Sequence, residues 1–210
     1  VKLVITDNLG CVATDSAWVT VNPAPVCNIT APDTAFCPGS FLVLTAACPG
    51  MSSYQWYKDG NPISGAVNDT LHANKYGQYW VEVTNSFGCS SISNKMYVYV
   101  LKKPRANITG DGYFCEYPGG TMLPFPLSTT YNPNYTYNWS SIPPSGVSFS
   151  PNNASFTWVT VTVPFTLPAY YQFVVDVTDT ITGCVNSDTL CVTVYEKPAL
   201  SIVSIPALDI

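Results

Sequence analysis

Apolar and polar positions alternate with a period of two over most of this chain. In residues 41–47, Leu42 and Leu44 fall on one face, and Tyr135, Tyr137 and Trp139 do the same further on. Val19 and Val21, Val98 and Val100, and Val192 and Val194 are three Val-x-Val pairs. Runs of this kind, rich in Val, Thr, Tyr and Trp and bounded by Gly, Pro and Asn, predict β-strands. Helix-period stretches are few, and eighteen prolines argue against helices.

The strands recur in a fixed order. Leu3-Val4-Ile5-Thr6-Asp7 runs to Gly10-Cys11, Val81-Glu82-Val83-Thr84-Asn85 to Gly88-Cys89, and Val175-Asp176-Val177-Thr178-Asp179 to Gly183-Cys184. Each is followed by one of the Val-x-Val pairs and then by Pro25, Pro104 or Pro198. Val19 to Val98 is 79 residues and Val98 to Val192 is 94. A strand-built period this long predicts an array of small β domains. The expected division is 1–22 as the C-terminal end of a truncated repeat, 25–101 and 104–195 as two whole β-sandwiches, and 198–210 as the start of the next.

The middle unit predicts strands over 26–30, 41–47, 54–57 and 94–100, with a strand after Tyr76-Gly77-Gln78-Tyr79. Lys58-Asp59-Gly60-Asn61 reads as a tight hairpin turn. This unit resembles an immunoglobulin-like sandwich. Trp56 stands where such domains bury a tryptophan, and Tyr79 looks like a tyrosine corner. Val81 occupies the position of an antibody cysteine, so Leu44 and Val81 are expected to fill that space by packing. In the next unit Tyr137-Asn138-Trp139 repeats Tyr54-Gln55-Trp56, and Phe173 takes the place of Tyr79. An insertion around 143–158 reads as an extra hairpin, which makes this unit similar to a PKD-type sandwich. The expected class is therefore all-β, with tandem Ig-like/PKD-like β-sandwich domains and a core that includes Trp56, Tyr79, Trp139 and Phe173.

Cys37-Pro38-Gly39-Ser40, Tyr54-Gln55-Trp56-Tyr57, Gly77-Gln78-Tyr79 and the Gly-Cys pairs, taken in order, resemble the Ig-like and PKD-like repeats of very large Bacteroidota surface proteins. These include gliding-motility adhesins and other substrates of the type IX secretion system. The resemblance implies an extracellular, cell-surface, non-enzymatic stalk or adhesin. Its implied partners are neighbouring repeats, surface polysaccharide or other copies of itself. The alternative is a carbohydrate-binding or spacer region of a secreted multidomain enzyme.

Composition narrows the function further. Charged residues are only 10% against a usual quarter, and the formal net charge is −5. With eight Lys and Arg and no basic run, nucleic-acid binding is not expected. No apolar run reaches membrane-spanning length. Eight cysteines in an acidic β-rich chain indicate an oxidising compartment, and without CxxC-type pairs they do not read as zinc ligands. No catalytic motif appears, and His72, the single histidine, has no nucleophile beside it. No catalytic, cofactor or metal residue is expected, with one qualification: Asp176, Asp179 and Asp188 are weighed as calcium ligands. Against this, Asp7, Asn85 and Asp179 occupy equivalent places, where a side chain closing a local turn explains all three. Tyr131, Tyr135, Tyr137 and Trp139 are weighed as a sugar-stacking run against a core face. Tyr57 and Tyr131, off that register, are the better surface candidates.

Cys37 matches Cys115 and Cys89 matches Cys184. One bridge per repeat gives Cys37–Cys89 and Cys115–Cys184. A strict Ig strand order instead favours a link from Cys37 to Cys184 of the following unit, because bridged Cα atoms lie within about 7 Å. Cys27 is expected to pair with Cys48, while Cys11 and Cys191 have no evident mates. The resemblance also implies O-glycans at Asp-Ser/Thr pairs, which fall here at Ser16, Thr34, Thr70, Thr180 and Thr189. N-glycan sequons occur at Asn28, Asn68, Asn107, Asn134, Asn138 and Asn153. The proline-bearing linkers predict a semi-rigid rod of successive units.

Overall fold

A computed structural model describes residues 1–115, 124–162 and 168–198. The expected start of a further repeat at 198–210 lies outside these residues, apart from Pro198. Every regular element described is a strand. The chain forms two compact units, Val1–Val100 and Leu101–Ile210.

The first unit opens with a hairpin of β1 (Lys2–Thr6) and β2 (Val12–Ser16). A sandwich follows, made of β3 (Ile29–Thr30), β4 (Ala35–Phe36), β5 (Leu42–Ala46), β6 (Ser53–Lys58), β7 (Asn61–Pro62), β8 (Thr70–Ala73), β9 (Gly77–Thr84), β10 (Ser90–Ile92) and β11 (Met96–Val100). One sheet has the order β4-β11-β9-β6-β7, with β10 also on β9, and the facing sheet is β3-β5-β8. Strict alternation of buried and less buried residues in β5 and β9 is the pattern of strands with one face in a core. Leu44, Trp56, Val81, Val83 and Val98 are wholly enclosed.

The second unit has β12 (Tyr113–Cys115), β13 (Phe125–Ser128), β14 (Tyr135–Ile142), β15 (Val147–Ser150), β16 (Phe156–Val161), β17 (Ala169–Asp179) and β18 (Val185–Tyr195). Its sheets are β12-β18-β17-β14 and β13-β16-β15. The β15–β16 pairing, Val147 opposite Val161, is the hairpin expected of the insertion. Leu127, Val159, Phe173, Val175 and Val177 form the centre of the core.

The two cores are built alike. The indole Nε1 of Trp56 donates to the Asn68 carbonyl at 2.8 Å, and that of Trp139 to the Ala154 carbonyl at 2.8 Å. Each ring is thus buried without stranding its N–H. Tyr79 donates its hydroxyl to the Lys75 carbonyl at 2.9 Å, the bond expected of a tyrosine corner. Phe173 fills the corresponding place with no exposed surface and no polar tip.

Two boundaries differ from expectation. The first strand of the middle unit is short, Ile29–Thr30 rather than 26–30. The last is broken at 93–95: Ser93 is buried, and its hydroxyl accepts a bond from the Val81 N–H at 3.1 Å. Asn94 therefore lies outside the ladder and its side chain is used elsewhere.

Candidate functional sites

Three features stand out in these units. They are the end where the chain enters each sandwich, the parallel pairing of a short N-terminal strand with the last strand, and its cysteines.

The entry end is organised by a polar turn. Asp7 Oδ1 accepts the N–H groups of Leu9 and Cys11, both at 2.9 Å. Asn85 Oδ1 accepts those of Phe87 and Cys89, both at 3.0 Å. Asp179 Oδ1 accepts those of Ile181 and Thr182 at 2.9 and 3.3 Å. Gly10, Gly88 and Gly183 then take positive φ of 85°, 79° and 70°, which a hairpin closing on a left-handed residue requires. The carboxylates weighed for calcium are placed differently. Asp179 is in this turn, Asp176 accepts from the Ser187 hydroxyl, and Asp188 accepts the Ile108 N–H at 2.7 Å. Asp188 stands opposite Val175 in register, so it and Asp176 lie on opposite faces of the sheet. No cluster of three His, Cys, Asp or Glu side chains suited to a metal occurs among the described residues.

Around this turn the incoming chain is pinned twice in each unit. The Ser91 hydroxyl donates to the Pro25 carbonyl at 2.6 Å, and Asn186 Nδ2 to the Pro104 carbonyl at 2.9 Å. Four residues further on, Asn94 Oδ1 accepts the Ile29 N–H at 2.6 Å, as Asp188 does for Ile108. In the first unit Asn85 Nδ2 also donates to the Pro23 carbonyl at 3.0 Å.

The first long-range pairing at the other end is parallel in both units. Ala35 and Phe36 of β4 lie opposite Tyr99 and Val100 of β11, and Tyr113 to Cys115 of β12 lie opposite Thr193 to Tyr195 of β18. The Tyr99 N–H donates to Thr34 at 2.8 Å and the Thr193 N–H to Gly112 at 3.0 Å.

Cys27 and Cys48 are joined, as expected, with a Cα–Cα distance of 4.9 Å. The within-unit bridges Cys37–Cys89 and Cys115–Cys184 are not made. Cys89 and Cys115 are free thiols, as are Cys11 and Cys191, whereas Cys37 and Cys184 are both disulfide-bonded. The reason is distance along the strand. Cys115 is level with Tyr195 at the end of β18, while Cys184 precedes its first residue, Val185. Ten residues of strand separate them, about 33 Å.

The aromatic run divides as the core reading requires. Tyr137 and Trp139 are buried, Tyr135 packs against the same core, and Tyr131 is exposed. Tyr57 is half-buried, its ring parallel to Trp80 at 5.6 Å; its hydroxyl donates to Glu82 at 2.9 Å, which holds the phenol above its ordinary pKa. Lys95 covers Trp80 at 4.5 Å from the ring centre. A second exposed group, Tyr76, Tyr97 and Tyr99, was not legible before the register was known, because Tyr76 precedes β9 and the others are in β11. His72 stacks on Phe41 at 4.3 Å beside an open groove lined by Ile63, Asn68 and Thr70.

In the hairpin turn, Asp59 and Gly60 both have positive φ, 49° and 90°, and Lys58 lies opposite Asn61, the two-residue loop that Asp-Gly favours. Asp59 pairs with Lys58 and accepts the Gln78 N–H at 2.8 Å, and these two contacts hold its carboxyl below the ordinary value.

Ser16, Thr34, Thr70, Thr180 and Thr189 are all exposed, as are the six sequon asparagines. Thr180 donates its hydroxyl to the Asn134 carbonyl at 2.9 Å.

No protein-family model matches the chain, and no curated protein matches it. Among solved structures it is similar to three N-terminal domains of the highly immunogenic outer capsid protein of bacteriophage RB49, at 18% identity and a TM-score of 0.38, over 82% of this chain and 59% of that one. It is similar to the fibronectin(III)-like modules of Clostridium thermocellum CbhA, at 10% identity and a TM-score of 0.33, over 80% and 94%. A third is the N-terminal eight Ig domains of the Down Syndrome Cell Adhesion Molecule, at 15% identity and a TM-score of 0.37, over 93% and 30%.

Proposed function

We propose that this chain is a structural, load-bearing segment of a secreted or cell-surface repeat protein, a stalk or adhesin, and that it performs no catalysis. The observation that carries the reading is the parallel pairing of a short N-terminal strand, β4 or β12, with the last strand in both units. Tension enters a unit from the N-terminal side, by way of β4 or β12, and leaves through the last strand, β11 or β18. When those strands are parallel and bonded to each other, tension shears their hydrogen bonds together instead of opening them singly. Such a device serves a chain that is pulled. The Cys27–Cys48 bridge supports an oxidising, extracellular setting. A surface with few charges and exposed Asp-Ser/Thr hydroxyls fits a glycosylated, type IX-secreted adhesin of the gliding-motility kind. Its partners on this reading are neighbouring repeats, surface polysaccharide or further copies of itself, with no bound cofactor.

Antibody raised against the chain tests the placement. Labelling of intact source cells, abolished by brief protease treatment of those cells, is expected. Labelling only after permeabilisation contradicts it.

The exposed Tyr76, Tyr97 and Tyr99 group favours a second reading, a carbohydrate-binding accessory region, since sugar rings stack on exposed aromatic faces. Glycan-array binding lost on triple substitution of these tyrosines supports that reading over the first.

A further inference from the structure

The cysteines of the repeat fall into two classes set by the fold. Cys37 and Cys115 close the first parallel strand: Cys37 follows Phe36, level with Val100, and Cys115 is level with Tyr195. Cys89 and Cys184 follow the positive-φ glycine of the hairpin that begins the last strand pair. The two classes therefore lie at opposite ends of a sandwich, about ten residues of strand or 33 Å apart, far beyond the Cα distance a bridge allows. Yet one member of each class, Cys37 and Cys184, is disulfide-bonded, while its repeat counterpart, Cys115 or Cys89, is a thiol. Cys115 is exposed and Cys89 partly so, its sulfur 3.7 Å from the Asn22 carbonyl.

We infer that Cys115 and Cys89 are end-to-end linking sites: each forms a disulfide with a cysteine of the other class on a different unit. In the native protein that unit is another repeat; for the isolated chain it is a second copy. The inference rests on the tandem-repeat reading proposed above. Two thiols become one disulfide with loss of two protons and two electrons. A small-molecule disulfide such as oxidised glutathione accepts the electrons and is reduced to two thiols. The complementarity follows from the two classes occupying opposite ends, so joining units head to tail always brings unlike classes together.

The test uses the full chain with Cys11→Ser and Cys191→Ser, which leaves Cys89 and Cys115 as its only thiols. Two further variants add Cys89→Ser or Cys115→Ser. Thermal melts confirm that both remain folded. After oxidation with oxidised glutathione, non-reducing electrophoresis is expected to show a ladder for the parent and monomer for each further variant alone. An equal mixture of the two should give a dimer whose bridging peptide joins Cys89 to Cys115. Either variant dimerising alone as well as in the mixture overturns the inference. So does a mixture that stays monomeric while maleimide labels both thiols. Failure of the surface-labelling experiment would leave this result unchanged, so the two ideas fail separately.

Discussion

Asn186 donates its side-chain amide to the carbonyl of Pro104, 82 residues earlier, at 2.9 Å, and so fastens the entry of the second sandwich to its last strand. Ser91 and Pro25 make the same contact in the first unit with a different side chain.

Removing that fastening has a defined cost. Asn186→Ala and Ser91→Ala each delete one hydrogen bond and are expected to lower the stability of their own unit by about 0.5–1.5 kcal/mol. For units of this size that is about 4–8 °C in Tm per kcal/mol. Calorimetry showing no change for either variant contradicts the assignment.

Asp179 acts as a hydrogen-bond acceptor for its turn. Asp179→Asn keeps the acceptor, as Asn85 does naturally, and is expected to be near neutral. Asp179→Ala is expected to cost about 1 kcal/mol. Calcium added to the wild-type chain is expected to leave its thermal melt unmoved. A calcium-dependent rise lost in Asp179→Asn would restore the metal reading.

The two tryptophans anchor the cores. Trp56→Ala and Trp139→Ala are each expected to destabilise by about 3–5 kcal/mol. Tyr79→Phe loses only the bond to Lys75, about 1 kcal/mol, and imitates Phe173 of the second unit. Urea denaturation of each variant measures the difference, and a Tyr79→Phe cost equal to that of Trp56→Ala refutes the division of roles.

Asp59 gives the first unit an acid-sensitive turn. Its folded pKa is depressed by Lys58 and the Gln78 N–H. The folded state therefore binds that proton less readily than the unfolded state. The stabilisation is present above the ordinary carboxylate pKa of about 3.9 and is lost as pH falls through the lower folded value. Asp59→Asn is expected to lower the stability of the first unit in the neutral region, to leave it little changed below the folded value, and so to flatten the acid limb of its pH–stability profile. An unchanged acid limb contradicts it.

Much of this architecture is legible in the residues. Period-two alternation locates β5, β9 and β14. Repeat alignment finds Trp56 and Trp139, and Asp-Gly marks the β6–β7 turn. The turn role of Asp7, Asn85 and Asp179 is readable because one explanation serves Asp and Asn alike. Cysteine pairing was not readable from one bridge per repeat, because equal counts say nothing about which end of a sandwich each thiol occupies. The parallel register of β12 with β18, which puts Cys115 level with Tyr195, is a tertiary fact. The break at Ser93 and the pin from Asn94 to Ile29 were equally hidden, since Ser-Asn-Lys within a strand pattern carries no sign of a buried hydroxyl. The Tyr76, Tyr97 and Tyr99 group needs a register that brings separate segments together.

The most direct test of the load-bearing role is single-molecule pulling on the full chain from its two termini, with reductant present so that no disulfide bypasses the strands. Two unfolding events are expected. Tyr99→Pro, which removes the N–H that donates to Thr34, is expected to lower the force of one event and leave the other unchanged. Thr193→Pro should do the reverse, because it removes the bond to Gly112. Unfolding forces that neither substitution alters would contradict the claim that the parallel pairs β4–β11 and β12–β18 carry the load.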